Sequence, residues 1–179
     1  MTHFHTGTIN VLQEDPGLAR HLDHARAHLA MQRAVAGVVS LPKGFFSAHQ
    51  AIPRARGTFG TLVLEGLLLR AVSVTAQPSL EVLGPGDVFQ LDPVGDSYAT
   101  VATLTGWWAL KPARLAVLDE HFTRRMSDYP ELIGELAGRL WRRSAASTLG
   151  LAIVQEPSLS VRVHFMLWHF GRPLRIRGR

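Results

Sequence analysis

Apolar and polar residues follow two textures along this chain. From about residue 33 to 118, short apolar runs rich in valine and leucine alternate with turn residues. From about residue 128 onward, apolar residues recur every three or four positions instead. The first texture predicts short strands and the second predicts helix, because side chains alternate faces on a strand and repeat every 3.6 residues on a helix.

In the first region Val35, Val38 and Val39 favour a strand, ended by the Pro42-Lys43-Gly44 turn. The segments 61–64 and 67–74 predict a strand pair turning at Glu65-Gly66, with a loop over 53–60 before them. A short strand over 79–83 leads into Gly84-Pro85-Gly86-Asp87, a tight turn in which glycine accepts positive φ and proline presets φ. A loop over 92–97 follows, and 98–104 and 115–118 read as closing strands. Evenly spaced strands without intervening helices predict an antiparallel sandwich or jelly roll.

Helical spacing marks three other segments. Leu18, Leu22, Ala25 and Leu29 predict a helix over 16–32, with residues 1–10 unanchored before it. Ser127-Asp128-Tyr129-Pro130-Glu131 is a start signal, with Asp128 as the cap and Pro130 in the first turn. The helix it opens runs over 130–156, or about 40 Å at ~1.5 Å per residue. Leu132, Leu136, Leu140, Ser147, Leu151 and Val154 keep one face of it, and Glu135 and Arg139 form an i,i+4 pair on another. A stripe of that length exceeds what one small β-domain covers. A second copy of the same helix is the expected partner, with Ala146 and Gly150 allowing close backbone approach. Pro157 ends this helix, and 159–170 predicts a further amphipathic one.

Composition narrows the chemistry. The chain has 179 residues, is 46% hydrophobic and contains no cysteine, so disulfides and thiolate metal sites are excluded. No uninterrupted apolar run suits a membrane span and the N-terminus is polar, which makes a cytoplasmic protein the expectation. The net charge is +5, but Arg172, Arg175, Arg177 and Arg179 account for four of those charges. The basicity therefore belongs to the tail.

His21, His24 and His28 share a helix face at i, i+3, i+7, yet no carboxylate or thiolate supports a metal there, and His3 and His5 lie in the polar N-terminus. Solvated histidines are the expectation, with no metal and no cofactor. Residues 51–120 hold no histidine, which argues against a metal enzyme of the cupin type on the same kind of roll. No nucleophile-elbow, dinucleotide or phosphate-loop motif is present, and no catalytic residue is assigned. Trp107, Trp108 and Trp141 are expected in core or interface packing.

Three pieces read in order resemble the Crp/Fnr family of transcription regulators. They are LEGLLLRAV with SLEVLGPGDVF, then PARLAVLDEHFTRRMSDYPELIGELAGRLWRRSAAS, then LAIVQEPSLSVRVHFMLWHF, together spanning about 33–170. The resemblance implies a mainly β fold with flanking helices: a cyclic-nucleotide-binding-type β-roll (jelly roll) over 15–125, followed by a long dimerisation helix over 128–156. The start of a winged helix-turn-helix and the basic tail would occupy 157–179.

It implies a homodimer whose helix interface takes Leu132, Leu136, Leu140, Ala146, Ser147, Gly150, Leu151 and Val154. It also implies an effector pocket lined by Phe89, Gln90, Leu91, Tyr98 and Thr100, for a small molecule of unknown identity.

Two departures from the family pattern bear on function. Members that bind cyclic AMP resemble G-D-x-x-G-E-L followed by R-S-A. Here Gln90 and Leu91 follow Gly86-Asp87-Val88-Phe89, and Ser97-Tyr98-Ala99 stands where R-S-A is expected. No arginine lies between Arg70 and Arg114, and Lys111 is the lone cation of that interval. Burying a phosphate without a guanidinium leaves a charge uncompensated, at roughly 3–5 kcal/mol, so weak or no cyclic AMP binding is expected.

The second departure is that no segment after Phe170 supplies a recognition helix, so specific operator binding is not expected of these residues. A dimerisation module that forms mixed dimers with a longer regulator is the other reading.

Overall fold

The computed structural model describes residues 5–52, 59–74, 78–91 and 104–170. A strand, β1 (His5–Asn10), opens the chain and is followed by a one-turn helix, α1 (Val11–Glu14), a 3₁₀ turn (Pro16–Ala19) and α2 (His24–Arg33). Then come β2 (Val35–Leu41), β3 (Gly44–Phe45), α3 (Ala48–Ala51), β4 (Gly60–Ser73), β5 (Ser79–Leu83), β6 (Val88–Phe89) and β7 (Leu104–Leu118). Three helices complete the chain: α4 (Glu120–Arg125), α5 (Pro130–Val154) and α6 (Leu159–Phe170).

The described strands form one seven-stranded antiparallel sheet in the order β1-β2-β7-β4-β5, with β3 on β7 and β6 on β4. Alternation along the strands sends residues to two cores. Leu62, Val88, Ala116 and Leu118 join a cluster with Leu12, Phe122, Met126, Leu132 and Leu136, between sheet and helices. Their neighbours Val63, Phe89, Leu115 and Val117 face the opposite way, into a cluster with Phe46, Ile52, Leu68 and Trp107 inside the roll. Both faces of the central strands are therefore buried, which accounts for their near-continuous apolar sequence.

Several expectations from sequence are corrected. The Glu65-Gly66 pair does not turn the chain. Gly60–Ser73 is one strand of 14 residues, whose register against β7 shifts between Val63 and Leu68. The cause is a bulge at Gly66, which has φ +92° and abuts β7 so closely that a Cβ there would lie 2.4 Å from the Pro112 carbonyl oxygen. Likewise, 104–118 is one strand of 15 residues, not the end of one strand and all of another. Residues 98–103 lie outside the described ones.

The N-terminus is anchored from His5, because β1 pairs with β2 along its whole length and Ile9 packs on the helix-side core. The helix expected over 16–32 breaks in two. Asp15 Oδ1 accepts the Gly17 N–H at 3.2 Å and Asp23 Oδ1 accepts the Arg26 N–H at 2.8 Å, so each aspartate starts its own element. Helix α5 begins at Pro130 with Tyr129 at its cap position, and Asp128 instead accepts Arg33 at 2.8 Å. The end of α5 before Pro157, and α6 over 159–170, match expectation.

Candidate functional site

The turn Gly84-Pro85-Gly86-Asp87 sits where the roll meets α5. Asp87 closes it: its Oδ2 accepts the Gly84 N–H at 2.7 Å and its N–H donates to the Gly84 carbonyl at 3.0 Å. Gly86 takes φ +91° at the corner, a conformation open to glycine. Burial pushes the Asp87 carboxyl above its ordinary value, against the opposing pull of the Gly84 N–H and Arg143.

Two arginines of α5 grip this region. Arg139 donates to the Gly86 carbonyl at 3.2 Å and pairs with Asp15 and Glu135. Arg143 donates to the Val88 carbonyl at 3.1 Å and makes a two-pronged pair with Glu81, with both N···O distances 2.8 Å. Glu81 has two further partners, Arg70 at 2.9 Å and the Ser147 hydroxyl at 3.2 Å. Arg70 lies opposite Glu81 in the β4–β5 register. Burial alone would raise the Glu81 carboxyl, but the Arg143 hydrogen bonds and the charges of Arg143 and Arg70 outweigh it and hold the group below its usual range.

The same guanidiniums rest on aromatic rings inside the roll. Arg70 stands 5.7 Å from the centre of the Trp107 ring, Arg143 stands 6.0 Å from that of Phe89, and the two rings are 5.1 Å apart.

Of the residues expected to line a pocket, Phe89 is wholly buried in the roll interior and Leu91 packs against the same cluster. Gln90 is exposed and donates to the Phe59 carbonyl at 3.1 Å, so it points away from that interior. Tyr98 and Thr100 lie outside the described residues. Arg70, Glu81 and Arg143 were not singled out from sequence, and Ser147, expected in the dimer interface, bonds Glu81 instead. A cross-strand Arg70–Glu81 pair and an arginine doublet, Arg142-Arg143, inside an apolar helix were the available signals.

The expected dimer stripe divides. Leu132 and Leu136 are fully buried and Leu140 half-buried against the protomer's own core, so the roll itself covers the first half of that face. Ser147 turns to Glu81. Ala146, Leu151 and Val154 are exposed, and Gly150 is half-buried with open space where a Cβ would stand. On the opposite side of α5 a shallow groove is lined by Trp141, Ser144, Ala145, Thr148, Leu149 and Ala152. Trp141 is 76% exposed, an extreme value for the largest apolar side chain.

Glu135 and Arg139 do pair, but as part of a buried cluster. Glu135 is 6% exposed and also accepts Arg20 and, at 3.0 Å, Arg142. Burial works to raise its carboxyl, and hydrogen bonds from Arg142 and Arg139 overcome this and lower it.

His21 precedes α2 and accepts the Arg20 Nε–H at 3.0 Å; only His24 and His28 share the helix, and all three are exposed. The three-histidine face expected from spacing is therefore not formed. Among the described residues no group of three histidine, aspartate or glutamate side chains is placed to hold a metal, and no helix is long and apolar enough to cross a membrane. The basic tail, 171–179, and His3 lie outside the described residues.

No protein-family profile and no curated protein sequence matches the chain. Solved structures do. A cyclic nucleotide-binding domain containing protein from Listeria monocytogenes EGD-e superposes with a TM-score of 0.56 at 12% identity, over 74% of this chain and 60% of its own. A CooA mutant from Carboxydothermus hydrogenoformans gives 0.54 at 12% identity, over 86% of this chain and 95% of its own. OCPA-complexed CprK gives 0.50 at 16% identity, over 73% and 58%. The chain thus spans about three fifths of the length of two of these proteins. At such identities the likeness is one of fold: the chain is built as a cyclic-nucleotide-binding-type β-roll with flanking helices, followed by a long α-helix.

Proposed function

We propose that these residues are the effector-sensing and dimerisation portion of a Crp/Fnr-type transcription regulator, regulatory rather than catalytic and at work in the cytoplasm. The observation that carries this reading is the second half of α5. From Ser144 to Val154 it bears no charge, and most of its side chains are exposed in the single protomer. An uncharged helix segment with apolar residues on more than one side is suited to burial. A second copy of α5, seated along Trp141, Ala145, Thr148, Leu149 and Ala152, supplies that burial with a self-complementary surface. Ala146, Gly150, Leu151 and Val154 lie on the other side of the helix from this seam.

In the intact regulator an effector in the roll would shift the relative tilt of the paired helices and so the spacing of the DNA readers. Operator recognition itself is not assigned to the described residues, which include no second helix after α6.

The effector is not cyclic AMP. The guanidiniums around the Gly84–Asp87 turn and β6 are already committed, Arg139 to Asp15 and Glu135 and Arg143, with Arg70 beside it, to Glu81. A cyclic phosphate there would meet occupied cations and a like charge. Titration calorimetry of the full chain with cyclic AMP tests this: no saturable heat is expected up to millimolar nucleotide. A one-to-one isotherm with a micromolar Kd would overturn it.

A further inference from the structure

Helix α5 is held to the roll by two different means. Its first half is bolted down by Leu132 and Leu136, both fully buried, and by Arg139, which reaches Asp15, Glu135 and the Gly86 carbonyl. Past Leu140, among the described residues, no α5 side chain joins either core cluster. Between Trp141 and Ala152 every residue but Arg143 and Gly150 is exposed. Over that stretch, the described side-chain bonds to the roll run from Arg143 to Glu81 and the Val88 carbonyl, and from Ser147 to Glu81.

We propose that Glu81 is a built-in latch: a carboxylate on β5 that holds the second half of α5 against the roll without any bound anion. The geometry suits the role. The two-pronged Arg143–Glu81 pair fixes orientation as well as distance. Arg70, drawn to the same carboxylate from the neighbouring strand, stops Glu81 from swinging away with the helix. Side-chain exposure of 15% for Arg143, 20% for Glu81 and 21% for Arg70 keeps most water off the cluster, so the ion pair is screened far less than one on the surface. Removing the carboxylate takes away the group on β5 that Arg143 and Ser147 both hold. The helix should then part from the roll beyond Leu140 while its first half stays docked. Leu140 is the pivot.

Amide hydrogen exchange on the full chain tests the latch, with Glu81→Gln, Arg143→Gln and the double variant compared with wild type. Each single variant should speed exchange over residues 143–150 about ten-fold and leave 131–138 unchanged. The double variant should exchange no faster than either single, because both remove one interaction. If either single variant matches wild type over 143–150, or if both halves of α5 speed up together, the latch is wrong. Should Glu81→Gln fail to fold by circular dichroism, Arg143→Gln carries the same comparison. Sedimentation of the same samples reads dimerisation separately, so failure of the latch and failure of the dimer reading are distinguishable.

Discussion

At the residue scale, charge is concentrated where the roll meets α5. Glu81 and Glu135 are each surrounded by guanidiniums, and both carboxyls sit below the ordinary value of 4.5 because those partners outweigh burial. A carboxyl lowered by folding adds stability that is present above its unfolded pKa and lost as pH falls through its folded one. Asp87, raised by burial, works the other way: its contribution is present below its unfolded value of 3.8 and fades as pH rises through its folded value. Calorimetric melting between pH 3 and 7 should therefore show wild type above Glu81→Gln at neutral pH. The gap should close as pH drops below about 4.5. A gap independent of pH would show that Glu81 acts by packing and not by charge.

Little of this was legible in sequence. Pairs such as Arg139–Asp15 join residues 124 apart, and no local pattern records such distances. The Arg70–Glu81 pair was within reach, since a hairpin register would have set the two opposite.

At the element scale, the sequence pattern served well for existence and less well for boundaries. Short apolar runs between turn residues identified the strand-rich region because both faces of the central strands are buried, and the 3.6 period identified α5 and α6. The bulge at Gly66 was misread as a turn, since Glu-Gly between apolar runs suits both and only the approach of β7 decides. That approach makes a firm prediction. Gly66→Ala would force a Cβ to within 2.4 Å of the Pro112 oxygen and 2.6 Å of the Ala113 Cα, at φ +92°. Backbone strain and separation of β4 from β7 together should cost about 3 kcal/mol or more. That corresponds to roughly 6–12 °C in Tm for a domain of this size. A loss under about 1 kcal/mol in chemical denaturation would mean that the bulge is absent or easily rebuilt.

Helix α5 was misread differently. Its apolar residues form two stripes on opposite sides. The leucine stripe of Leu132, Leu136 and Leu140 is the more regular, yet it belongs to the protomer's own core. The weaker stripe, of tryptophan and small residues, is the free one. Periodicity shows that a face is apolar but not which neighbour covers it.

At the scale of the whole molecule, the roll and the helix divide the labour. The roll buries two cores, and its contacts with α5 are polar just where the helix leaves it. Beyond that point α5 presents apolar surface to solvent, as does α6, where Leu159, Val163, Phe165, Leu167 and Trp168 are all exposed. Apolar surface of this extent suits burial against another chain. The central claim is that a second α5 covers it.

Sedimentation equilibrium of the full chain tests that claim most directly, comparing wild type with Trp141→Glu. The account predicts a wild-type mass twice the 19.7 kDa of one chain at micromolar concentration. It also predicts a variant that is folded and monomeric, because a carboxylate buried in the seam has no partner. A monomeric wild type, or a Trp141→Glu variant that pairs as tightly as wild type, would contradict it.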